Sequence, residues 1–464
     1  MPSIITFLSF IKAPMKRFFL IIMILPVFLL SGCFGTPETI KDIRDLKQDH
    51  MFYIDRAASD RLMVAPHDQI KMDARYNALY FAPWHQTEPS SSLDRETDTF
   101  QKFEKNPGYG ENGRKHKKSW MKNLRTNAQL DRYPNAGFRA ITVDNADLRV
   151  LPTHKPFYSR YNMLNGFPFD KFQESLIAAN TPLFISHVTR DKAWFLAETP
   201  YAKGWISSRS VAFVDADFIK TWERPPYAVF IKDKNPVYDD AGQFLFNAPL
   251  GSLFPEMAES TDSIKVLVAV ADMNKKAVIK TTTVNKETTV TKPLKLTPFN
   301  MAKVANELIN ETYGWGGQYQ NRDCSAMIKD LFAPFGIWLP RNSADQAREG
   351  GTFMDLSDLS PEDREMMILK HGVPYLTLIW RRGHIMLYIG SHEGTPLIFH
   401  NFWGVRTMDF LGRGGRIIVG HATITTLQPG MELYNIDPLQ GNYLNYVLGM
   451  TLLTNPSNQG ALKP

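Results

Sequence analysis

The residues able to do chemistry are a lone cysteine and two histidines in the last third of the chain. Cys324 comes directly after Asp323 and follows the glycine-rich run Tyr313-Gly-Trp-Gly-Gly. Beyond it Met327, Ile328, Leu331, Phe332 and Phe335 recur at helical spacing, which predicts a helix with one apolar face and the thiol in its first turn. Asp323 stands where an N-cap would. A thiol placed there feels the positive end of the helix dipole, which favours the nucleophilic thiolate. The bland alternative is a small buried hydrophobe without a chemical role.

A thiolate nucleophile needs a base, and the base needs a group that holds its ring. His384 opens an alternating strand framed by Gly383 and Gly390, and His400 closes the next strand, past a tight connection at residues 391–394. If those strands form a hairpin, their pairing brings His384 and His400 within a residue or two of each other. His384 then takes the thiol proton and later returns it to a leaving amine, while His400 accepts the other ring N–H and fixes the tautomer. Asn401 is the alternative orienting group. A zinc site on His384, His392 and His400 is the rival reading of the same histidines. It lacks a carboxylate at metal-ligand spacing, so no metal and no cofactor are expected.

The elements that must position these groups form only part of the chain. At 464 residues it is too long for one ordinary core, and 44% hydrophobic with 22% charged residues is a globular composition. The net charge of +6 is modest for this length, and nucleic acid is not an expected partner. Met15-Lys-Arg, the apolar run from Phe18 to Leu30 and small residues after it make a secretory signal, too short to span a membrane. Residues 1–14 are then an extended leader or a false start before Met15. The chain contains two cysteines, Cys33 and Cys324. If Cys33 is modified, no partner remains for an intramolecular disulfide, and a free exported thiol is usually kept for chemistry.

Residues 38–130 read as a mainly helical or irregular N-terminal region. Its basic cluster, Arg114-Lys-His-Lys-Lys118, is either a solvated face or a surface attracted to anionic wall polymer. Strand-sized segments from Phe138 to Phe213 predict a small β-barrel over residues 131–220. A second, less regular set from Tyr227 to Ala271 predicts another over residues 221–290. The Thr- and Lys-rich run from Lys275 to Pro298 reads equally as edge strands or linker. Residues 296–455 begin with helices and end with an antiparallel sheet, an α+β arrangement.

Several stretches resemble known families. Leu30-Ser-Gly-Cys33 resembles a lipobox, which implies cleavage before Cys33 and lipid on its sulfur. With Phe34 in place of an aspartate, the same resemblance implies the periplasmic face of the outer membrane if the host has two membranes. Lys192-Ala-Trp-Phe-Leu-Ala-Glu followed by Gly204-Trp-Ile resembles the bacterial SH3-like signature. Tyr313-x-Trp-Gly-Gly, Asp323-Cys-Ser, Leu339-Pro-Arg-x-Ser343, Gly383-His-Ile-x-Leu-Tyr-Ile-Gly390 and His400 resemble the NlpC family of papain-like cell-wall peptidases, in order over roughly residues 299–430.

That resemblance implies Cys324 as nucleophile, His384 as base and His400 as the third polar residue. Tyr313 and the Cys324 N–H would support the oxyanion, and Ser343 would line the groove alongside Asp323, Ser325 and Asn342. It implies hydrolysis of the bond between D-γ-glutamate and the diamino acid of murein stem peptides by a monomer anchored to the membrane through Cys33. The barrels are expected to wall the groove rather than serve as detachable anchors. Two positions depart from the family pattern. Ala326 replaces a glycine. Asn342 replaces an aspartate that would contact a free L-Ala amine, and an amide gives no ion pair there. The competing expectations are a wall-binding lipoprotein without activity and an acyltransferase on the same scaffold.

Overall fold

The computed structural model describes residues 39–453. The leader and Cys33 lie outside the described residues. Four helices make the N-terminal region: α1 (Lys41–Asp45), α2 (Pro66–His85), α3 (Leu93–Lys105) and α4 (Lys118–Ala128). The central helix is α2. Its Tyr76, Tyr80, Phe81 and Trp84 recur at helical spacing and sink into one cluster with Ile141, Tyr227 and Ala333, residues from three later parts of the chain. Each buried ring contributes on the order of 1.5–3 kcal/mol, which makes α2 a strut between all of them.

The first barrel comprises β1 (Phe138–Thr142), β2 (Ala146–Arg149), β3 (Gln173–Ile177), β4 (Pro182–Val188), β5 (Trp194–Glu198), β6 (Lys203–Ser207) and β7 (Val211–Phe213). Its sheet order is β3-β2-β6-β5-β4-β1-β7. Strand β3 is absent from the pattern of apolar alternation. Its inward residues Gln173 and Ser175 are polar yet buried.

After helix α5 (Ala216–Trp222) the second barrel adds β8 (Tyr227–Phe230), β9 (Asn235–Tyr238), β10 (Phe244–Ala248), β11 (Leu253–Glu259), β12 (Ser263–Ala271), β13 (Ala277–Asn285) and β14 (Thr289–Thr291). The ambiguous Thr- and Lys-rich run is therefore sheet up to Thr291 and a connection from there to Pro298. β13 pairs with β12 over its whole length, and β14 pairs with β8.

The last part runs α6 (Pro298–Asn306), α7 (Cys324–Phe332), α8 (Ser343–Glu349), β15 (Thr352–Asp355), α9 (Pro361–His371), β16 (Thr377–Arg381), β17 (His384–His392), β18 (Thr395–Met408), β19 (Gly414–Thr426) and β20 (Val447–Leu452). The sheet order is β15-β20-β16-β17-β18-β19. As its periodicity predicts, α7 buries Met327, Ile328, Leu331 and Phe332 against Leu387 and Ile389 of β17 and Phe399 of β18. The β18–β19 hairpin is long, 14 residues in β18 and 13 in β19, and runs well past the strand that His400 was expected to close. Its outer half, beyond a bulge between Phe402 and Gly404, is masked in sequence by glycines.

Candidate active site

Cys324 is the first residue of α7, and Asp323 is its N-cap, accepting the Ala326 N–H at 2.8 Å. The two arginines nearest this step in sequence fix it from opposite sides. Arg341 makes a two-pronged pair with the Asp323 carboxylate at 2.8 and 3.1 Å, and its Nε donates to Ser175 of β3. Arg322 pairs with Asp233 of the second barrel at 2.7 Å and with Asp330 of α7 at 2.8 Å. Ser325 Oγ donates to Asp323 and accepts from Arg341, so Asp323 and Ser325 are both buried in this network. Burial works to raise the Asp323 carboxyl, but Arg341 and the N–H groups of Ala326 and Gly316 more than offset it and hold the group below the usual carboxylate range.

The loop ahead of Cys324 is shaped by the first barrel. Gly316 and Gly317 have φ of +60° and +85°. A Cβ on Gly316 would lie 2.7 Å from Gln173, and one on Gly317 would lie 2.4 Å from Leu176, so the two glycines are where β3 docks. Gln173 also donates to the Gly316 carbonyl at 3.1 Å.

The histidines meet as the hairpin expectation requires. Leu387 pairs with Phe399, which carries Met386 opposite His400 and leaves His384 on the same face two residues along. His384 Nε2 lies 2.8 Å from His400 Nδ1, and His400 Nε2 lies 3.0 Å from Thr425 Oγ1. Thr425 spends its one hydroxyl proton on the Thr426 carbonyl at 2.7 Å, so its oxygen must accept from His400 Nε2. This assigns the proton positions down the chain: His400 carries hydrogen on Nε2, and its Nδ1 accepts from His384 Nε2–H. The lone pair of His384 Nδ1 is left open. Thr425 is a third member of the relay that the sequence did not flag. Asn401 does not orient His384; its amide donates to the Arg322 and Glu311 carbonyls and ties β18 to the loop before Cys324. His392 sits at the far end of β17, against Phe52 and Tyr53.

The electrostatics depart from the dipole expectation. Burial, followed by the Asp323 charge, pushes the Cys324 thiol up to about 12, against partial relief from the backbone N–H groups of Ile385 and Ser325 and from Arg341. Burial, then Arg381, pushes His384 down to about 3. One helix dipole is a smaller effect than desolvation in a closed site. Thiol and imidazole are therefore both neutral near pH 7. Tyr313 is buried and its phenol is held well above its usual range by burial and by Cys324 and Asp323, so it stays a hydroxyl donor.

A cleft of about 280 Å³ opens beside His384, lined by Tyr313, Trp315, Trp403 and Tyr443 and, from the first barrel, Leu164 and Phe169. Asn342 and Ser343 do not line it. Asn342 is exposed at the N-terminus of α8, with its amide 3.4 Å from Asp345. The basic residues Arg114, Lys115, Lys117 and Lys118 are exposed, while His116 packs inward on Trp120.

Four family models match the chain in order. They are the NLPC_P60 stabilising domain (N term) at residues 22–133, an SH3 domain (SH3b1 type) at 156–207, an SH3 domain of SH3b2 type at 215–260 and the NlpC/P60 family at 310–401. No curated protein matches. Among solved structures, an NlpC/P60 endopeptidase from Photobacterium damselae subsp. piscicida is 28% identical with a TM-score of 0.78, covering 89% of this chain and 98% of that one. An NlpC/P60 family protein from Bacillus cereus is 15% identical with a TM-score of 0.46, covering 68% of this chain and 100% of that one. The stabilising domain, both SH3-type domains and the NlpC/P60 domain thus match in this order, and over most of its length the chain is similar to an NlpC/P60 endopeptidase.

Proposed function

We propose that this chain is a cell-wall cysteine endopeptidase that hydrolyses the D-γ-glutamyl–diamino acid bond of murein stem peptides, tethered to the membrane through Cys33. The observation that carries the reading is the His384–His400–Thr425 relay. Its hydrogen bonds leave His384 Nδ1 as the one open ring nitrogen, one residue from the Ile385 N–H that meets the thiol. The match of residues 310–401 to the NlpC/P60 family and the likeness to an endopeptidase support the reaction class.

In this mechanism Cys324 passes its proton to His384 Nδ1 as the sulfur attacks the γ-carbonyl carbon. Charge on the carbonyl oxygen is met by the Tyr313 hydroxyl and by the backbone N–H of Cys324, the first N–H of helix α7. Collapse expels the amine of the diamino acid, which takes the proton back from His384 and leaves a thioester. His384 then deprotonates water, which attacks the thioester and releases the γ-glutamyl acid and the thiol. His400 holds the imidazole plane and tautomer throughout.

The test is Cys324→Ala on defined stem peptides. Release of L-Ala-γ-D-Glu should stop. Retained turnover would overturn the assignment, and transfer of the acyl group to an added amine in place of water would show an acyltransferase.

A further inference from the structure

A second pocket, of about 440 Å³, opens between the first barrel and the loop ahead of Cys324. Its rim is aromatic. Tyr161, Phe167 and Tyr319 line it and are 55%, 51% and 74% exposed. Tyr319 is held there at φ +57°, a left-handed backbone that side chains rarely adopt. Core packing does not account for an exposed ring on disfavoured backbone. The rings also continue toward the catalytic cleft. Between centroids, Tyr319 lies 6.4 Å from Phe167, Phe167 lies 5.7 Å from Trp403, and Trp403 lies 6.0 Å from Tyr313. Trp403 and Tyr313 line the cleft beside His384, so the pocket and the cleft share one aromatic edge.

The polar groups of the pocket are left open in a consistent way. Tyr158 lines it and is only 3% exposed, yet among the described residues nothing hydrogen-bonds its hydroxyl. Gln318 borders it and is 8% exposed. Its Nε2 faces the Asp170 carboxylate at 3.5 Å, which fixes the orientation of the amide, and its Oε1 has no partner. Asp147 is exposed and accepts from Gln173 on Oδ1 at 2.8 Å, with no hydrogen bond to its Oδ2 among the described residues. The guanidinium in the lining is closed instead: Arg149 is committed to Asp170, Gln173 and the Thr153 and Lys155 carbonyls. An anion finds no open arginine there. The open atoms are mostly acceptors, and an unpartnered polar atom in a buried side chain is costly unless a ligand meets it.

Hydroxyl or amide donors set beside apolar faces would complete this pocket. A pyranose ring carries both, with C–H faces for the aromatic rings and hydroxyls for the carboxylate and amide oxygens. We infer that the pocket binds an uncharged amino sugar, an N-acetylated hexosamine of the glycan strand from which stem peptides branch, and that the aromatic edge carries the chain from this sugar to the cleft. The inference rests on the endopeptidase reading and deepens it: the first barrel engages substrate that is still joined to glycan.

The experiment titrates a β-1,4-linked N-acetylglucosamine tetramer into the full chain by calorimetry. Binding should saturate and should be insensitive to added salt, because the ligand is uncharged. Tyr161→Ala and Tyr319→Ala, both at exposed rings, should each weaken it by roughly 2- to 12-fold, the range of one aromatic contact. Absence of saturable binding overturns the inference. So does equal or tighter binding of the deacetylated, cationic tetramer, which would make this an amine site. A second arm compares kcat/KM on a disaccharide-linked stem peptide and on the same peptide free. The linked form should be preferred, and Tyr161→Ala should shrink that ratio. Equal cutting of the two by the unaltered protein overturns the inference and leaves the peptidase reading standing. If neither is cut, that reading fails, and the tetramer titration alone decides the pocket.

Discussion

Gly317→Ala is the sharpest test of how the first barrel shapes the site. The substitution meets two separate penalties. With φ at +85° the alanine is forced into left-handed backbone, at about 1–2 kcal/mol. Its Cβ would also lie 2.4 Å from Leu176 Cβ and 2.7 Å from Leu176 N, so a strand and not a flexible side-chain tip must retreat, at about 1–3 kcal/mol. Together these predict a loss of about 2–5 kcal/mol. Gly242 supplies the control, because its φ is +79° and nothing lies within 4 Å of an added Cβ. Gly242→Ala should therefore show the backbone penalty alone. Urea midpoints of the two variants, followed by tryptophan fluorescence, give the difference. Catalytic rates on a stem peptide should fall only for Gly317→Ala, since the loop it unseats runs from Tyr313 to Asp323. If Gly317→Ala proves no less stable than Gly242→Ala, β3 does not hold this loop and the argument for a barrel-shaped site fails.

Two further outcomes follow from the same site. With the thiol pushed up to about 12, its thiolate fraction rises tenfold per pH unit across the neutral range, so alkylation of Cys324 by iodoacetamide should climb steadily from pH 6 to 9. A rate already flat above pH 5 would instead report a standing thiolate–imidazolium pair. Arg341→Leu should cost about 3–5 kcal/mol in denaturant, because it strands the buried Asp323 carboxylate. The double variant with Asp323→Asn should recover a substantial part of that loss, and strict additivity of the two would show that the pair is not coupled.

The Cys324 helix and the histidine hairpin were legible because both rest on local periodicity. The apolar stripe from Met327 to Phe332 faces the sheet as its spacing requires, and a short connection between two strands fixes which residues face each other. Strand β3 was illegible for a physical reason. Its buried positions, Gln173 and Ser175, are polar because they bind Arg149 and Arg341, and a pattern search for apolar alternation passes over such a strand. The cation-lined cleft was hidden in another way. The sequence offers Arg114 to Lys118 as its conspicuous charge run, and that run is mostly solvated surface, while the charges that share a cleft come from positions 171, 381, 382, 406 and 416. The thiol's environment was misjudged because a dipole can be read from a predicted helix, whereas burial and the approach of Asp323 cannot.

The Asp323–Cys324 step is gripped by Arg341, which reaches Ser175 of the first barrel, and by Arg322, which reaches Asp233 of the second. Both guanidinium groups are buried, so neither contact is a surface tether that could be shed without leaving charge or polar groups unpaired. The first barrel also supplies one wall of the cleft through Leu164, Phe169 and Lys171. A module evolved only to bind the cell wall has no need to order the loop ahead of a nucleophile. The SH3-type domains here belong to the architecture of the site, and the geometry at Cys324 is a property of three domains folded together.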